Sequence, residues 1–283
     1  MKARSKLTTT SLSVFKRDGV LVIPGFYDVH NDIRPIQYGI FQIIGQVLKR
    51  HGISMERTPF QGSNFDDCFE SILKLDRSMC GEIYDAVKQI PAFLRLLADR
   101  RHEDLFRALR PDSIPAIAGG GFGIRIDNPA EDKYRAHWHQ EYPSQLRSLD
   151  GLVFWSPLVQ MTENMGPVRV CLGSHLQGPI PVTTNRVNGQ TGAYALRLSN
   201  EEEAIAGYRQ SAPLASPGDL IVIDFLTIHA SGFNRSERSR WSMQFRYFNF
   251  NDPTGMSHGW KGSFAAGINL ADIHPELCAE QEP

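Results

Sequence analysis

The chain has 283 residues, a formal net charge of −1, and 41% hydrophobic and 22% charged residues. This is the composition of an ordinary globular protein, and the length allows one large domain or two small ones. A net charge near zero argues against a nucleic-acid-binding protein, which needs a basic surface. No apolar run reaches the roughly 18 residues that a membrane-spanning helix requires, so we expect no contact with a membrane.

The four cysteines are spread along the chain and form no CxxC pair. Such spacing favours free thiols in a reducing compartment over disulfides or a zinc site. The first ten residues carry basic side chains, but no apolar segment follows them, so a signal peptide is not expected. We therefore expect a cytoplasmic protein.

Residues 1–110 are predicted to be mostly helical. Their apolar side chains recur at helical spacing in several segments, and Pro91 starts or breaks one of them. The predicted helices cover residues 12–18, 29–51, 65–75 and 80–107. A short β-branched strand is expected at residues 19–24, immediately after the first helix. This part is expected to form a helical layer.

The pattern changes at Pro111, where short apolar runs alternate with turn signals. The candidate strands are residues 123–127, 135–140, 151–160, 166–172, 219–225 and 241–249. A helix near residues 201–209 interrupts them. Several short strands with regular turns predict a sandwich or barrel-like jelly roll at residues 111–250, followed by a tail at residues 251–283. We expect a mainly β protein with flanking α-helices that forms a single domain over residues 1–283.

The strongest chemical signal is His139-Gln140-Glu141, at the end of the strand predicted for residues 135–140. Residues two apart in a strand point to the same face, so the imidazole and the carboxylate are expected to aim at one point. A second imidazole, His229, follows the apolar strand at residues 219–225. Two histidines and one carboxylate leave open positions on a metal, which is typical of Fe(II) that binds a cosubstrate together with O2.

Arg240 lies at the start of the last predicted strand and Ser231 lies two residues after His229. A dicarboxylate cosubstrate that chelates the metal at one end needs a cation for its far carboxylate. A guanidinium pairs a carboxylate through two parallel hydrogen bonds, and a serine hydroxyl can donate a third. Two alternatives remain open, because Arg240 belongs to a charged stretch and could be solvated, and His137 could compete with His139 as a ligand.

The sequence resembles the phytanoyl-CoA dioxygenase family of Fe(II)/2-oxoglutarate oxygenases. The resemblance extends from about Val14 to Asn249, beginning with the segment from Phe15 to Phe26. Its other motifs are Trp138-His139-Gln140-Glu141, Asn164-Met165-Gly166-Pro167, Gly173-Ser174-His175, Gly218-Asp219, and the run from His229 through Ser231, Asn234 and Ser236 to Arg240.

This resemblance implies a double-stranded β-helix, a cupin-like jelly roll, with a metal at one end. It places Fe(II) on His139, Glu141 and His229, and the tail of 2-oxoglutarate on Arg240 and Ser231, with O2 as the oxidising cosubstrate. Trp155 is similar to an aromatic residue that packs beside 2-oxoglutarate, although a core tryptophan is the alternative. Arg125 is expected to reach 2-oxoglutarate or the substrate, or else to form a salt bridge with Asp127 or Asp132. His175 is expected to be structural, near the rim of the pocket.

One position departs from the family pattern, because Glu141 stands where the motif usually has Asp. A glutamate can still bind a divalent metal, but its extra methylene changes how its oxygens are presented. The presence of a carboxylate argues against a halogenase, in which a halide takes that position.

The resemblance implies hydroxylation of an unactivated C–H bond in a small molecule, with release of succinate and CO2. Polar residues in the segment from Gln177 to Gly192, the predicted lid, favour a polar or anionic substrate. The alternatives are a metal-dependent jelly-roll isomerase or lyase and a non-catalytic binding protein. The sequence does not indicate an oligomeric state.

Overall fold

The structure is a computed structural model that describes residues 7–184, 196–262 and 270–279. The N-terminal part is mostly helical: α1 Thr9–Asp18, α2 Arg34–Arg50, α3 Phe69–Leu75, α4 Arg77–Val87, α5 Pro91–Leu97 and α6 Arg100–Leu109. One strand, β1 Val20–Ile23, lies between α1 and α2. The helices and this strand were predicted from the sequence, and Pro91 begins a helix, where its missing N–H leaves no intrahelical bond unmade.

The longest of these helices, α2, shows why the segment folds as it does. Ile36, Ile40 and Ile44 repeat every four residues and are fully buried, so they form one apolar stripe against the rest of the protein. Lys49 and Arg50 occupy its last turn, where positive charge interacts favourably with the helix dipole.

The remainder of the described chain is built mainly from short strands with small helices between them. The strands are β2 Pro115–Ile117, β3 Gly123–Asp127, β4 Gly151–Pro157, β5 Val168–Cys171, β6 Val182–Thr184, β7 Leu196–Leu198, β8 Gln210–Ser211, β9 Leu220–Asp224, β10 His229–Ser231 and β11 Arg240–Asn249. The helices are α7 Tyr142–Gln145, α8 Glu201–Ala206, α9 Pro253–Ser257 and α10 Leu270–Ile273.

The strands form antiparallel sheets. The larger sheet has the order β1-β9-β4-β11-β2, and β3 also pairs with β11; the smaller sheet has the order β10-β5-β8. β6 and β7 form a separate hairpin. A single hydrophobic cluster includes side chains of the N-terminal helices and of both sheets. The helices therefore pack on the β region rather than forming a core of their own.

The two faces of β11 have different neighbours. Trp241 and Phe245 point toward the helices, where Trp241 contacts the ring of Phe69 and Phe245 stacks on Phe93. The alternate side chains, including Gln244 and Arg246, line a cavity on the other face of the sheet. This strand therefore joins the helical layer to the site described below.

The expected strands correspond to β3, β4, β5, β9 and β11, with ends that differ by a few residues. The prediction of a strand at residues 135–140 is wrong: only His139 makes an isolated bridge, with His229. Residues 185–192 of the predicted lid and residues 263–269 and 280–283 of the predicted tail lie outside the described residues.

Within the described ranges, no helix is both long enough and apolar enough to cross a bilayer.

Candidate metal centre

Two histidines from distant parts of the chain lie on adjacent segments of backbone. The N–H of His139 donates to the carbonyl of His229 at 3.0 Å, and the reciprocal bond is 2.9 Å. This isolated antiparallel bridge brings the centroids of the two imidazoles to 4.2 Å from each other. His229 is the first residue of β10. This strand pairs with β5 on one side and bridges to His139 on the other.

Glu141 reaches the same point by a route that the sequence did not predict. Its backbone has φ −71° and ψ −36°, and it immediately precedes the short helix α7. The expectation that His139 and Glu141 share one face of a strand is therefore wrong. The chain turns between them, and the N–H of Glu141 donates to the carbonyl of Phe225 at 2.8 Å, which fixes the turn against the end of β9.

The hydrogen bonds of both imidazoles leave the same nitrogen available. Nδ1 of His139 lies 2.7 Å from the carbonyl of His137, and Nδ1 of His229 lies 2.9 Å from the carbonyl of Thr227. A carbonyl can only accept, so each Nδ1 carries the proton and each Nε2 keeps its lone pair. Metal-binding histidines are commonly oriented in this way.

Both Nε2 atoms face Oε2 of Glu141, at 4.0 Å for His139 and 3.6 Å for His229. One ligand atom from each of the three side chains lies within 4.8 Å of the others, and no other such group of three or more His, Cys, Asp or Glu occurs in the described part of the chain. Two imidazole nitrogens and one carboxylate oxygen are a suitable donor set for a divalent transition metal. The residues therefore fit the Fe(II) that the sequence motif implies.

The protonation states agree with this fit. Burial, followed by the charge of His229, lowers the pKa of His139 to about 3. Burial acts to raise the pKa of Glu141, but Arg246 and the two histidines outweigh it and hold this pKa well below its ordinary value. At neutral pH the site therefore presents a neutral His139 and an ionised carboxylate, the forms that bind a metal.

Arg246 was not singled out from the sequence, yet it contacts Glu141 directly. Its Nε donates to Oε1 of Glu141 at 2.5 Å. The signal that could have identified it is strand alternation, because Arg246 lies six residues after Arg240 on the same face of the last predicted strand.

Arg240 is buried, with 1% of its surface exposed, so the alternative that it is a solvated charge is wrong. Its Nη2 lies 2.7 Å from Oδ2 of Asp127 and donates to Oγ of Ser231 at 3.1 Å. Its Nη1 is buried and has no hydrogen-bond partner among the described residues. Arg240 thus has one unused donor beside a serine hydroxyl.

Asp127 lies between two arginines. Arg125 donates to it from Nε at 2.9 Å and from Nη2 at 2.7 Å, and also donates to the carbonyl of Tyr134. Burial acts to raise the pKa of Asp127, but Arg125 and Arg240 outweigh it and lower this pKa to about 2. The salt bridge of Arg125 with Asp127 was one of the two alternatives that the sequence left open.

A cavity of about 320 Å³ lies in front of the three candidate ligands. Trp155 and Arg125 line it, as does Ser231, whereas Arg240 lies behind them. Other polar residues of its wall are His137, Gln145, Arg197, Gln244 and Arg246.

His137 and His175 do not join the candidate ligands. His137 lines the cavity, but its contribution to the cluster is the carbonyl that orients His139. Nε2 of His175 lies 3.2 Å from the carbonyl of Lys16 in α1, and the residue is not part of the cavity wall. Its place beside α1 accords with the expected structural role but not with the expected position at the rim.

Comparison with known families and structures gives one family match. Residues 15–242 match the model of phytanoyl-CoA dioxygenase (PhyH). No curated protein matches the sequence.

Solved structures of similar fold cover most of the chain. SnoK, a non-haem α-ketoglutarate-dependent carbocyclase from nogalamycin biosynthesis, has a TM-score of 0.56 and 12% identity, over 88% of this chain and 86% of SnoK. EctD from S. alaskensis, solved with 2-oxoglutarate and 5-hydroxyectoine, has a TM-score of 0.55 and 17% identity, over 87% and 77%. EvdO2 from Micromonospora carbonacea var. aurantiaca, solved with 2-oxoglutarate, has a TM-score of 0.53 and 15% identity, over 88% and 94%. At these identities the likeness concerns the fold.

Proposed function

Since the chain belongs to the phytanoyl-CoA dioxygenase (PhyH) family, an Fe(II)- and 2-oxoglutarate-dependent class of enzymes, we propose that it hydroxylates an unactivated C–H bond of a small polar molecule. The reaction would consume O2 and 2-oxoglutarate and release succinate and CO2. The two antiparallel sheets would form a double-stranded β-helix within a single oxygenase domain.

One observation carries this proposal: His139 and His229 each donate Nδ1–H to a backbone carbonyl while Oε2 of Glu141 faces both Nε2 atoms. Ligands fixed in this way need little rearrangement when a metal binds. Three protein donors on one side of an octahedral metal leave the other positions to small ligands. When bound, Fe(II) with 2-oxoglutarate and O2 supplies the oxidant, and the protein supplies position and a partly enclosed cavity.

The far carboxylate of 2-oxoglutarate would bind near Ser231, Arg125 and Arg240. The two guanidiniums both pair with the carboxylate of Asp127, so a second carboxylate bound beside them would meet two positive charges. The unused Nη1 of Arg240 is a ready donor to that carboxylate. Arg240 is not itself a lining residue of the cavity, but it donates to Ser231, which is one. The indole of Trp155 would form the neighbouring wall.

The substrate would be small, polar and anionic. A cavity of this size holds a metabolite-sized molecule, and Arg197 adds positive charge to its wall. The cavity wall also offers the side-chain amides of Gln145 and Gln244. Ring closure, the reaction in the name of SnoK, uses the same cosubstrate, so product analysis is needed to identify the outcome.

The test is an anaerobic titration of the apo-protein with Fe(II) and then 2-oxoglutarate. We expect the weak visible charge-transfer band of an Fe(II)–2-oxoglutarate chelate. In the Arg240→Met variant, the 2-oxoglutarate concentration at half-saturation should rise by about 10- to 100-fold, as expected for the loss of a hydrogen bond to a charged group. Arg197→Met is the matched control, because it removes a guanidinium from the wall of the same cavity. A wild-type protein that binds Fe(II) but develops no band would contradict the proposal.

The substrate class is tested by succinate release over matched pairs of small molecules. Each pair would consist of a carboxylate or phosphate and its neutral amide or ester. We expect turnover of anions in preference to their neutral partners in the wild type, and a reduced preference in Arg197→Met. Equal turnover of both members would rule out recognition of an anionic group.

A further inference from the structure

Arg246 contacts the two carboxylate oxygens of Glu141 at different distances. Nε of Arg246 lies 2.5 Å from Oε1, whereas Nη2 is 3.4 Å from Oε2. Oε2 is the atom that faces His139 and His229. The guanidinium therefore holds Oε1 by a short hydrogen bond and Oε2 only by a longer one, and Oε2 is the oxygen directed at the point where the ligand atoms converge.

Arg246 is itself held in place by groups that are not ligands. Its Nη1 donates to the carbonyl of Gly121 at 3.2 Å, and its Nη2 donates to Oε1 of Gln244 at 3.0 Å. Its backbone lies within the sheet, opposite Val153 of β4. Because Nη1 and Nη2 both have partners other than Glu141, the guanidinium is not held in position by Glu141 alone.

Gly121, whose carbonyl accepts the hydrogen bond from Arg246, belongs to a glycine-rich run at residues 119–123. A Cβ on Gly121 would lie 2.8 Å from Oε1 of Gln145 and 2.9 Å from Cβ of Ala118. A larger residue at this position would thus require Gln145 or Ala118 to shift.

We propose that Arg246 is a positioning residue that makes Glu141 bind the metal through Oε2 alone. A glutamate has one more rotatable bond than the aspartate usual in this motif, so its carboxylate has more freedom to turn both oxygens toward a metal. Bidentate binding would occupy a position that a cosubstrate needs. By holding Oε1, Arg246 withdraws that oxygen and removes the added freedom. This inference rests on the proposed metal site.

The primary experiment measures metal affinity instead of turnover, with Co(II) as the probe. Apo-protein in the wild-type, Arg246→Lys and Arg246→Met forms would be titrated while the visible d–d bands of Co(II) are followed. We expect Arg246→Met to weaken Co(II) binding by about 10- to 100-fold, the usual effect of removing a group that orients a ligand. Its bands should also change in position and intensity, since the coordination number changes, and Arg246→Lys should recover part of the affinity.

Arg197→Met is the matched control. Arg197 carries the same charge and lines the same cavity, but it is not among the groups that set the pKa of Glu141. We expect its Co(II) affinity and spectrum to equal those of the wild type. An equal loss in Arg197→Met and Arg246→Met would show a general effect of cavity charge and would overturn the positioning role.

A double-mutant cycle with Glu141→Asp keeps the test decisive if Arg246→Met does not fold. A shorter carboxylate cannot keep both contacts, so Arg246→Lys should weaken Co(II) binding much less in the Glu141→Asp background than in the wild type. Additive effects would mean that Arg246 does not act through Glu141. Thermal unfolding of each apo-variant shows which proteins are folded.

The outcomes separate this inference from the proposed function. If the wild type bound no Co(II), the metal site would be wrong and the inference would fall with it. If the wild type bound Co(II) and all Arg246 variants bound it with the same affinity and spectrum, only the inference would fail. A rise in substrate KM with unchanged Co(II) binding would make Arg246 a substrate-binding residue and would also overturn it.

Discussion

The two faces of β11 perform different tasks with alternating residues of one strand. On the helix-facing side, Trp241 and Phe245 are fully buried among aromatic rings. On the cavity side, Arg240 and Arg246 are each paired with a buried carboxylate. A face that stabilises the fold can be entirely apolar, whereas a face that binds charged ligands must bury charges in compensated pairs. Substitutions on the two faces should therefore change different measured quantities.

The largest expected effect is on the cavity side, at a candidate ligand. His229→Ala should reduce 2-oxoglutarate turnover to background and weaken Co(II) binding by more than about 100-fold, because loss of a ligand exceeds the loss of an orienting group. The free energy of unfolding of the apo-protein should change much less than in the helix-face variant below. Normal turnover of a folded His229→Ala protein would remove this residue from the site.

The next effect is on the helix-facing side. Trp241→Ala should lower the free energy of unfolding by about 3–5 kcal/mol, since it removes a fully buried indole that packs β11 against Phe69 of α3. Urea denaturation followed by circular dichroism measures this change. The folded fraction should bind Co(II) as the wild type does. A large loss of metal affinity without loss of stability would show that the two faces are not independent.

A pH experiment sharpens the same contrast. His102 of α6 is buried on the helix-facing side, stacked on Phe154, and burial lowers its pKa to about 4. The unfolded chain takes up this proton below about pH 6.5, so the stabilising contribution is present above that pH and is lost as the pH falls toward 4. The loss should reach about 3 kcal/mol.

The control for this experiment is His102→Gln, which keeps a polar group near Tyr27 but does not titrate. Urea midpoints of the variant and the wild type would be compared between pH 7 and pH 4. The difference in free energy of unfolding between them should shrink as the pH falls. A difference that is constant across this range would contradict a neutral, buried His102.

The smallest effects concern two buried serine hydroxyls, one on each face of the larger sheet. Ser242 lies on the cavity side of β11, and Ser156 lies on the helix-facing side of β4; neither Oγ has a hydrogen-bond partner within the described ranges. Replacing either with alanine should change the free energy of unfolding by less than about 0.5 kcal/mol, because no protein hydrogen bond is lost.

Binding should distinguish the two serines. Ser242 lies two residues from Arg240 on the same face, so Ser242→Ala should raise the 2-oxoglutarate concentration at half-saturation by about 3- to 10-fold if the hydroxyl donates to the cosubstrate. Ser156→Ala should leave it unchanged. Equal values for both variants would place the cosubstrate tail away from Ser242.

Much of the local structure could be predicted because its causes are local. The four-residue spacing of Ile36, Ile40 and Ile44 predicts α2. Pro91 predicts either the start or a break of a helix, and the structure shows the start of α5. The extents of β3 and β11 also follow from local pattern. The region around His139 could not be predicted in this way, since its backbone is held by β10 and by Phe225, which are distant in sequence.

The amino-acid sequence by itself determined the helices, most strands and the identity of three candidate metal ligands, which a spaced motif and a family resemblance indicate. Only the tertiary structure decided which atoms meet. It placed Glu141 in a turn, Asp127 between two arginines, and Arg246 on one oxygen of Glu141, across 105 positions of chain. The physical reason is that backbone periodicity depends on neighbouring residues, whereas these pairings depend on the register of strands that only folding brings together.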